Sequence, residues 1–186
     1  DCAGVVSGLT VRRNPALFLR QTDLTRADRA IRDLVSPPED DLIAWLHALM
    51  AKVREALPYQ AGLTDSHTSA AEALKLGGGV CQDLAHLFIA AARANGVPAR
   101  YVCGYLLADE GEGELHETHA WAEVFVERLG WVAFDPTHDL CPTERYIRLT
   151  TGFDAADAAP IRGHASGGEA LGLEADVRIM PGDDIM

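Results

Sequence analysis

The sequence lacks the long apolar segments that would place it in a membrane. A bilayer-spanning helix needs about 20 predominantly apolar residues, and no run in this chain approaches that length. Residues 1–20 also lack the ordered basic, apolar and small-residue regions of a signal peptide. These absences predict that the protein has no membrane partner.

Basic residues are also scarce. The 186 residues include 16 Lys and Arg against 28 Asp and Glu, so the formal net charge is −12. Because nucleic acids attract proteins through concentrated basic surfaces, this balance predicts that nucleic acid is not a partner. The content of 48% hydrophobic and 24% charged residues is instead typical of a globular domain with a core of ordinary size.

Cysteine is present at only four positions, and none of them forms a CxxC pair. Structural zinc sites usually need closely spaced thiol ligands, and disulfide frameworks need many cysteines in a short chain. The sequence therefore predicts neither a zinc site nor a disulfide framework, and it favours reduced thiols in a cytoplasmic protein. The four positions are Cys2, Cys81, Cys103 and Cys141.

Helix-start signals recur in the first half of the chain. Thr25 is predicted to cap a short helix. Residues 36–39 (SPPE) combine a capping serine, an early proline and a glutamate at the third position, which predicts a longer helix ending near Pro58. Residues 69–72 (SAAE) repeat the capping pattern, and the glycines at 77–79 end the third predicted helix.

The fourth predicted helix, residues 80–95, is the most apolar and carries Cys81 in its first turn. The pattern then changes to strands at 99–107, 118–127 and 130–136, which are rich in valine and aromatic residues. We expect these three strands to be adjacent and antiparallel. A final strand is predicted at 171–180.

Three residues with catalytic chemistry lie on these elements: Cys81 at a helix start, His119 at the start of a strand, and Asp135 at the end of the next. Facing residues of adjacent antiparallel strands approach within about 5.5 Å, so His119 can lie near Asp135. A helix N-terminus and an imidazolium both stabilise a thiolate, and a carboxylate can orient the imidazole. Each residue alone has an ordinary structural interpretation; their conjunction favours nucleophilic catalysis.

A family resemblance covers the same residues. The stretches TSAAEALKLGGGVCQDLAHLFIAAARANGVPARYVCGYL, THAWAEVFVERLGWVAFDPTHD and AAPIRGHASGG resemble the transglutaminase-like superfamily, in particular its bacterial members described as cysteine proteases. The resemblance implies an α+β fold of the papain-like or transglutaminase-core type, with N-terminal helices and a helix-start nucleophile packed on an antiparallel sheet. It also implies a triad of Cys81, His119 and Asp135. No cofactor is predicted.

The resemblance also implies a domain division. Residues 1–24 look like the last strand of an upstream β-rich domain and its connection, and 25–186 like the catalytic core. We accordingly expect an upstream segment, most of which is missing here.

Several further residues are candidates for supporting roles. The Cys81 backbone N–H is predicted to stabilise an oxyanion, and either Tyr59 or Gln60 is a candidate second donor. Gln82 and Asp83 follow the nucleophile and can cap the helix start or support the site. The other candidates are Trp121 and Trp131 as cleft walls, with core packing as the more frequent role of such aromatics.

No metal requirement is predicted. Residues 109–117 (DEGEGELHE) are acidic but lack the ordered ligand spacing of a calcium loop, and we interpret them as a solvated hairpin tip. His116, His138 and Asp139 also lack a recognised ligand spacing. His86 is predicted first to have a structural or supporting role, with an alternative catalytic histidine as the second interpretation.

The resemblance to the bacterial proteins favours hydrolysis of a peptide or related amide through a thioester on Cys81, with a peptide or protein as substrate. Transfer of the acyl group to an amine, as in a protein-glutamine transglutaminase, uses the same triad and stays open, because the choice depends on which acceptor reaches the thioester. A catalytically silent scaffold that binds a partner is the third alternative.

Overall fold

The computed structural model describes residues 4–6, 14–107 and 118–161 of the chain. Within these ranges, helices precede an antiparallel sheet, so the predicted mixed α+β architecture is confirmed. The helices are α1 (Arg29–Arg32), α2 (Leu42–Ala56), α3 (Ala70–Leu76) and α4 (Cys81–Ala94). The strands are β1 (Ala99–Leu106), β2 (Thr118–Val126), β3 (Gly130–Phe134) and β4 (Tyr146–Gly152).

Helix α4 runs through the centre of the molecule. Each of its residues from 83 to 93 is buried, since α2 and α3 cover it on one side and the sheet on the other. Most of its residues are accordingly apolar, as expected of a helix that is covered on several sides. The predicted buried residues Leu84, Leu87 and Phe88 all lie in this core.

The sheet has the order β3-β2-β1-β4, and every neighbouring pair is antiparallel. The three predicted strands are therefore confirmed as adjacent. The sequence analysis missed β4, which pairs with β1 at the edge of the sheet. Most β4 residues are only half-buried, so the strand lacks the apolar alternation that marks a sheet with one buried face.

One face of the sheet packs on α4, and the opposite face carries a small apolar cluster of Val102, Trp121 and Ala133. Beside this cluster lies Glu123, which is fully buried between two arginines. Its carboxylate is 2.8 Å from Arg148 Nε.

The second arginine of this cluster is Arg100. Its Nε donates to Glu123 Oε2 at 2.7 Å, and its guanidinium lies 3.9 Å from the ring centroid of Trp131. The aromatic ring covers the ion pair on this face of the sheet.

The predicted starts of the first two helices were wrong. Helix α1 begins after Asp28, whose side chain accepts from the Ile31 N–H at 3.0 Å, and α2 begins after Asp41, which caps Ala44 in the same way. Thr25 is buried instead. In each helix the capping side chain is therefore an aspartate that lies a few residues after the predicted capping residue.

The other two helix starts agree with the sequence. Ser69 and Glu72 form the predicted capping box at the start of α3. Gly77 then ends α3 in the left-handed conformation, with φ of 77°, which glycine adopts without a steric penalty.

Residues before position 25 pack directly on the core. Val5 forms a bridge with Val132 of β3, and Phe18 packs edge-on against Trp131, with 5.2 Å between ring centroids. Arg93, buried in α4, donates to the Phe18 carbonyl at 3.0 Å and to the Thr25 hydroxyl at 2.8 Å. The division at 24/25 stays a prediction, but the described residues on its two sides are joined by these contacts.

The hairpin tip predicted at 109–117, the final strand predicted at 171–180 and Cys2 lie outside the described residues. Among the helices that the structure describes, none combines the length and apolar character needed to cross a membrane.

Candidate active site

The start of α4 is fixed by a buried carboxylate. Asp83 Oδ2 accepts from the Val80 N–H at 2.9 Å and from the Thr64 hydroxyl at 2.6 Å. A Cβ on Gly79 would lie 2.6 Å from that same oxygen, so a larger residue would not fit without displacing Asp83. Asp83 therefore supports the turn that delivers Cys81 to the helix N-terminus.

His119 and Asp135 meet at the ends of β2 and β3, as predicted. His119 Nε2 lies 2.7 Å from Asp135 Oδ2. The carboxylate is fully buried, and its second oxygen accepts from the Thr137 N–H at 2.8 Å. Because Nε2 is engaged by Asp135, Nδ1 is the ring nitrogen available to Cys81.

Two partners of Asp135 were not anticipated. His138 Nδ1 lies 2.8 Å from Oδ2, and the Tyr146 hydroxyl donates to the same oxygen at 2.7 Å. The position of His138, three residues after Asp135, was a usable signal. Tyr146 comes from the unpredicted strand β4, so no local pattern pointed to it.

Charge interactions hold this group in an ionised state. Burial favours the neutral form of Asp135, but hydrogen bonds from His119, His138 and Tyr146 hold its carboxyl pKa far below the usual range. Burial likewise opposes protonation of His119, but its interactions with Asp135 and Cys81 raise its pKa to about 9. His119 is therefore an imidazolium at neutral pH.

Cys81 and His119 line one pocket of about 980 Å³. Its lining includes residues 20–24, 80–82, 118–120 and 154–156, together with Tyr101 and Cys103. Residues 20–24, which the sequence analysis assigned to a connection from another domain, thus form part of the wall beside the thiol.

The two tryptophans do not line this pocket, which corrects the predicted cleft walls. Trp121 is buried behind the site, stacked on His119 at 6.1 Å and in edge contact with Tyr146 at 5.4 Å between ring centroids. Trp131 packs under Arg100, away from the thiol. The packing interpretation of both aromatics is therefore the one that the structure supports.

Tyr59 and Gln60, the candidate oxyanion donors, lie outside the pocket lining. Tyr59 pairs with Gly79 through the backbone, its side chain is largely exposed, and the Gln60 N–H donates to the Gly79 carbonyl at 2.7 Å. Gln82 does line the pocket, and its amide donates to the Asp65 carbonyl at 3.4 Å.

His86 has a structural role, as predicted. Its Nε2 accepts from the Ala155 N–H at 3.0 Å and so holds the segment that walls the pocket beyond β4. Burial lowers the pKa of His86 to about 4, so the ring is neutral and can act as this acceptor at neutral pH.

A cation could be held by His119, Asp135 and His138, whose ligand atoms lie within 4.8 Å of one another. Each of the two histidines already hydrogen-bonds the carboxylate. That no metal is required stays a prediction.

Comparison with known proteins defines the family. The model of the transglutaminase-like superfamily matches residues 28–136, which include Cys81, His119 and Asp135. The chain belongs to the transglutaminase-like superfamily. This membership confirms the predicted family and the predicted transglutaminase-core fold.

Two similar proteins are matched over different lengths of this chain. It is 38% identical over 146 residues to the uncharacterised protein Rv2569c of Mycobacterium tuberculosis, covering 72% of this chain and 46% of that protein. It is 35% identical over 89 residues to a protein-glutamine gamma-glutamyltransferase of Pseudomonas aeruginosa, covering 42% of this chain and 12% of that protein. The chain thus spans about half the length of its mycobacterial relative.

Among solved structures, a provisionally assigned cysteine protease of Cytophaga hutchinsonii is similar. The two superpose with a TM-score of 0.67 at 29% identity, over 84% of this chain and 53% of the other.

Proposed function

We propose that this chain carries out cysteine-dependent acyl transfer and hydrolyses a peptide or related amide bond. The observation that carries the proposal is the meeting of Cys81 with the His119–Asp135 pair in one pocket. The helix N-terminus and the imidazolium both stabilise a thiolate at Cys81. The similarity to the Cytophaga protein supports the same chemistry.

The reaction follows from the charge state of the site. The Cys81 thiolate attacks the amide carbonyl carbon, and the carbonyl electrons move to oxygen. When this intermediate collapses, the C–N bond breaks and the His119 imidazolium donates its proton to the departing amine. The product is a thioester on Cys81 and a neutral imidazole.

Water then resolves the thioester. His119 takes a proton from water, the hydroxide adds to the thioester carbonyl, and collapse releases the carboxylic acid and the Cys81 thiolate. Asp135 keeps the ring oriented and stabilises its charged form throughout. The part of the pocket wall formed by residues 20–24 favours hydrolysis. Its residues Arg20, Gln21 and Asp23 are exposed and leave the pocket accessible to water.

Transfer to an amine is the second candidate. The similarity to the Pseudomonas gamma-glutamyltransferase, 35% identity over 89 residues, favours it. An amine competes with water for the same thioester, so the two candidates share every step up to that intermediate.

Peptide products distinguish these candidates. The chain is incubated with a peptide library, with and without a primary amine, and the products are analysed by mass spectrometry. Cleaved peptides support hydrolysis, and amine adducts at glutamine support transfer. Cys81→Ser serves as the inactive variant and Cys103→Ser as the matched control, since Cys103 also lines the pocket.

Thiol labelling tests the nucleophile independently of substrate. Iodoacetamide at pH 6 should alkylate Cys81 ahead of Cys103 and Cys141, because burial raises the pKa of both of those thiols. His119→Ala should slow labelling of Cys81 by removing the adjacent cation. If Cys81 is labelled no faster than Cys103 and no peptide product appears, a silent scaffold is the better description.

A further inference from the structure

Acyl transfer at Cys81 needs hydrogen-bond donors where the carbonyl oxygen becomes negatively charged. The Cys81 N–H lies at the open end of α4 and provides one. The donors considered from the sequence do not provide the second, since Tyr59 and Gln60 lie outside the pocket lining. The Gln82 amide points to the Asp65 carbonyl.

Tyr101 of β1 has the properties of the missing donor. Its side chain lines the pocket together with Cys81, although the residue is only 4% exposed. Packing against His86, with 5.0 Å between ring centroids, fixes the direction of the ring. Its position is set by the sheet rather than by a surface loop.

The hydroxyl of Tyr101 makes no hydrogen bond to any residue in the described part of the chain. Buried tyrosine hydroxyls usually find a partner. Tyr101 belongs to the pocket lining, so a bound substrate is the available partner.

Tyr101 is also held in the protonated form that can donate. Burial, followed by the negative charges of Cys81 and its neighbours, raises its pKa well above the usual value. The phenol therefore keeps its proton across the neutral range.

On the basis of the proposed acyl transfer, we infer that the Tyr101 hydroxyl is the second oxyanion donor of this site. When the Cys81 sulfur bonds to the carbonyl carbon, the carbonyl π electrons move to oxygen. The Tyr101 O–H and the Cys81 N–H then donate to that oxygen without transferring a proton. Collapse restores the C=O bond and expels the leaving group.

Two reactions of the Cys81 thiol distinguish oxyanion donation by Tyr101 from a role in positioning Cys81. Acylation by p-nitrophenyl acetate passes through an oxyanion, and its leaving group needs no proton from His119. Alkylation by iodoacetamide forms no oxyanion. Both rate constants are measured at Cys81 by peptide mapping, in the wild type, in Tyr101→Phe and in Tyr105→Phe. Tyr105 is the matched control, because it lies on the same strand and outside the pocket lining.

Tyr101→Phe should lower the acylation rate about 100-fold, the usual effect of removing one oxyanion donor, and leave the alkylation rate within about twofold. Tyr105→Phe should change neither. Equal acylation rates in Tyr101→Phe and wild type overturn the role of Tyr101 while the proposed function stands. A wild-type acylation rate no greater than that of glutathione also overturns the role of Tyr101. Equal losses of acylation and alkylation in Tyr101→Phe also overturn it, since they mean that the ring only positions Cys81. Failure of the proposed function is recognised separately, in the wild type, by the peptide products and the labelling order.

Discussion

Two carboxylates on the sheet are equally buried but have different surroundings. Glu123 and Asp135 are both fully removed from solvent. Glu123 is paired with Arg100 and Arg148, whose guanidiniums cannot be deprotonated in proteins, and it takes no part in the pocket. We regard this group, the Glu123 cluster, as a structural ion network.

The group around Asp135 has partners that can exchange protons. Its carboxylate is bonded to His119, His138 and Tyr146, and His119 reaches the pocket that contains Cys81. Burial and ion pairing are common to both clusters. A titratable partner beside a nucleophile is what distinguishes the candidate catalytic group, because histidine changes charge near neutral pH.

The largest expected effect is on activity, at Asp135. Asp135→Asn should lower turnover of a peptide substrate by about 10³-fold or more, since an amide neither stabilises the imidazolium nor fixes its orientation. The measurement is kcat, with folding checked by circular dichroism.

Glu123→Gln is the matched variant in the other cluster, and its turnover per folded molecule should be close to that of the wild type. A turnover of Asp135→Asn within tenfold of the wild type would remove Asp135 from the mechanism.

The second effect is on stability, at the Glu123 cluster. Glu123→Ala removes the buried carboxylate that both guanidiniums contact and should lower the free energy of unfolding by about 3 kcal/mol, at the lower end for broken buried pairs because Arg148 is partly exposed. Urea unfolding measures the loss. The exposed Glu127→Ala should change stability by less than about 0.5 kcal/mol. Similar losses for the two variants would show that the buried cluster contributes no more than surface charge.

The third effect is a pH dependence that belongs to the Asp135 cluster. The pKa of His119 is raised from 6.5 to about 9 on folding, so the folded state binds its proton more tightly. The resulting stability, at most about 3 kcal/mol, is fully present below pH 6.5 and is lost as the pH rises through 9.

His119→Gln should flatten this loss, because glutamine does not titrate. The free energy of unfolding is measured from pH 6 to pH 9.5 under reducing conditions. Parallel curves for the variant and the wild type would mean that His119 gains no stabilising partner on folding.

The smallest effect is expected at Tyr146. Tyr146→Phe removes one of several hydrogen bonds to Asp135 and should lower kcat about tenfold, given about 1.5 kcal/mol for a hydrogen bond to a charged group. The carboxylate then interacts more strongly with His119, so the alkaline limb of the kcat profile, where His119 loses the proton that it donates to the leaving amine, should shift upward in pH. A lower kcat with an unmoved pH profile would assign Tyr146 to packing alone.

Local sequence patterns were sufficient for the framework of the site. The capping box at Ser69, the glycines before Cys81 and the alternating strands around His119 each depend on neighbouring residues, and the structure has them where predicted. The starts of α1 and α2 were misplaced because several residues near each start can cap a helix, and the packing of the helix body decides which one does.

The sequence by itself therefore determined the family, through its resemblance to known members. Short-range periodicity and strand adjacency also specified the order of α1–α4 and β1–β3 and the meeting of His119 with Asp135. Only the tertiary structure decided the rest of the site. Tyr146 reaches Asp135 from an edge strand, Tyr101 enters the pocket from the middle of β1, and residues 20–24 wall it from before the first helix. Contacts between segments far apart in the chain depend on how packed layers are oriented, and no local pattern of apolar and polar residues encodes that orientation.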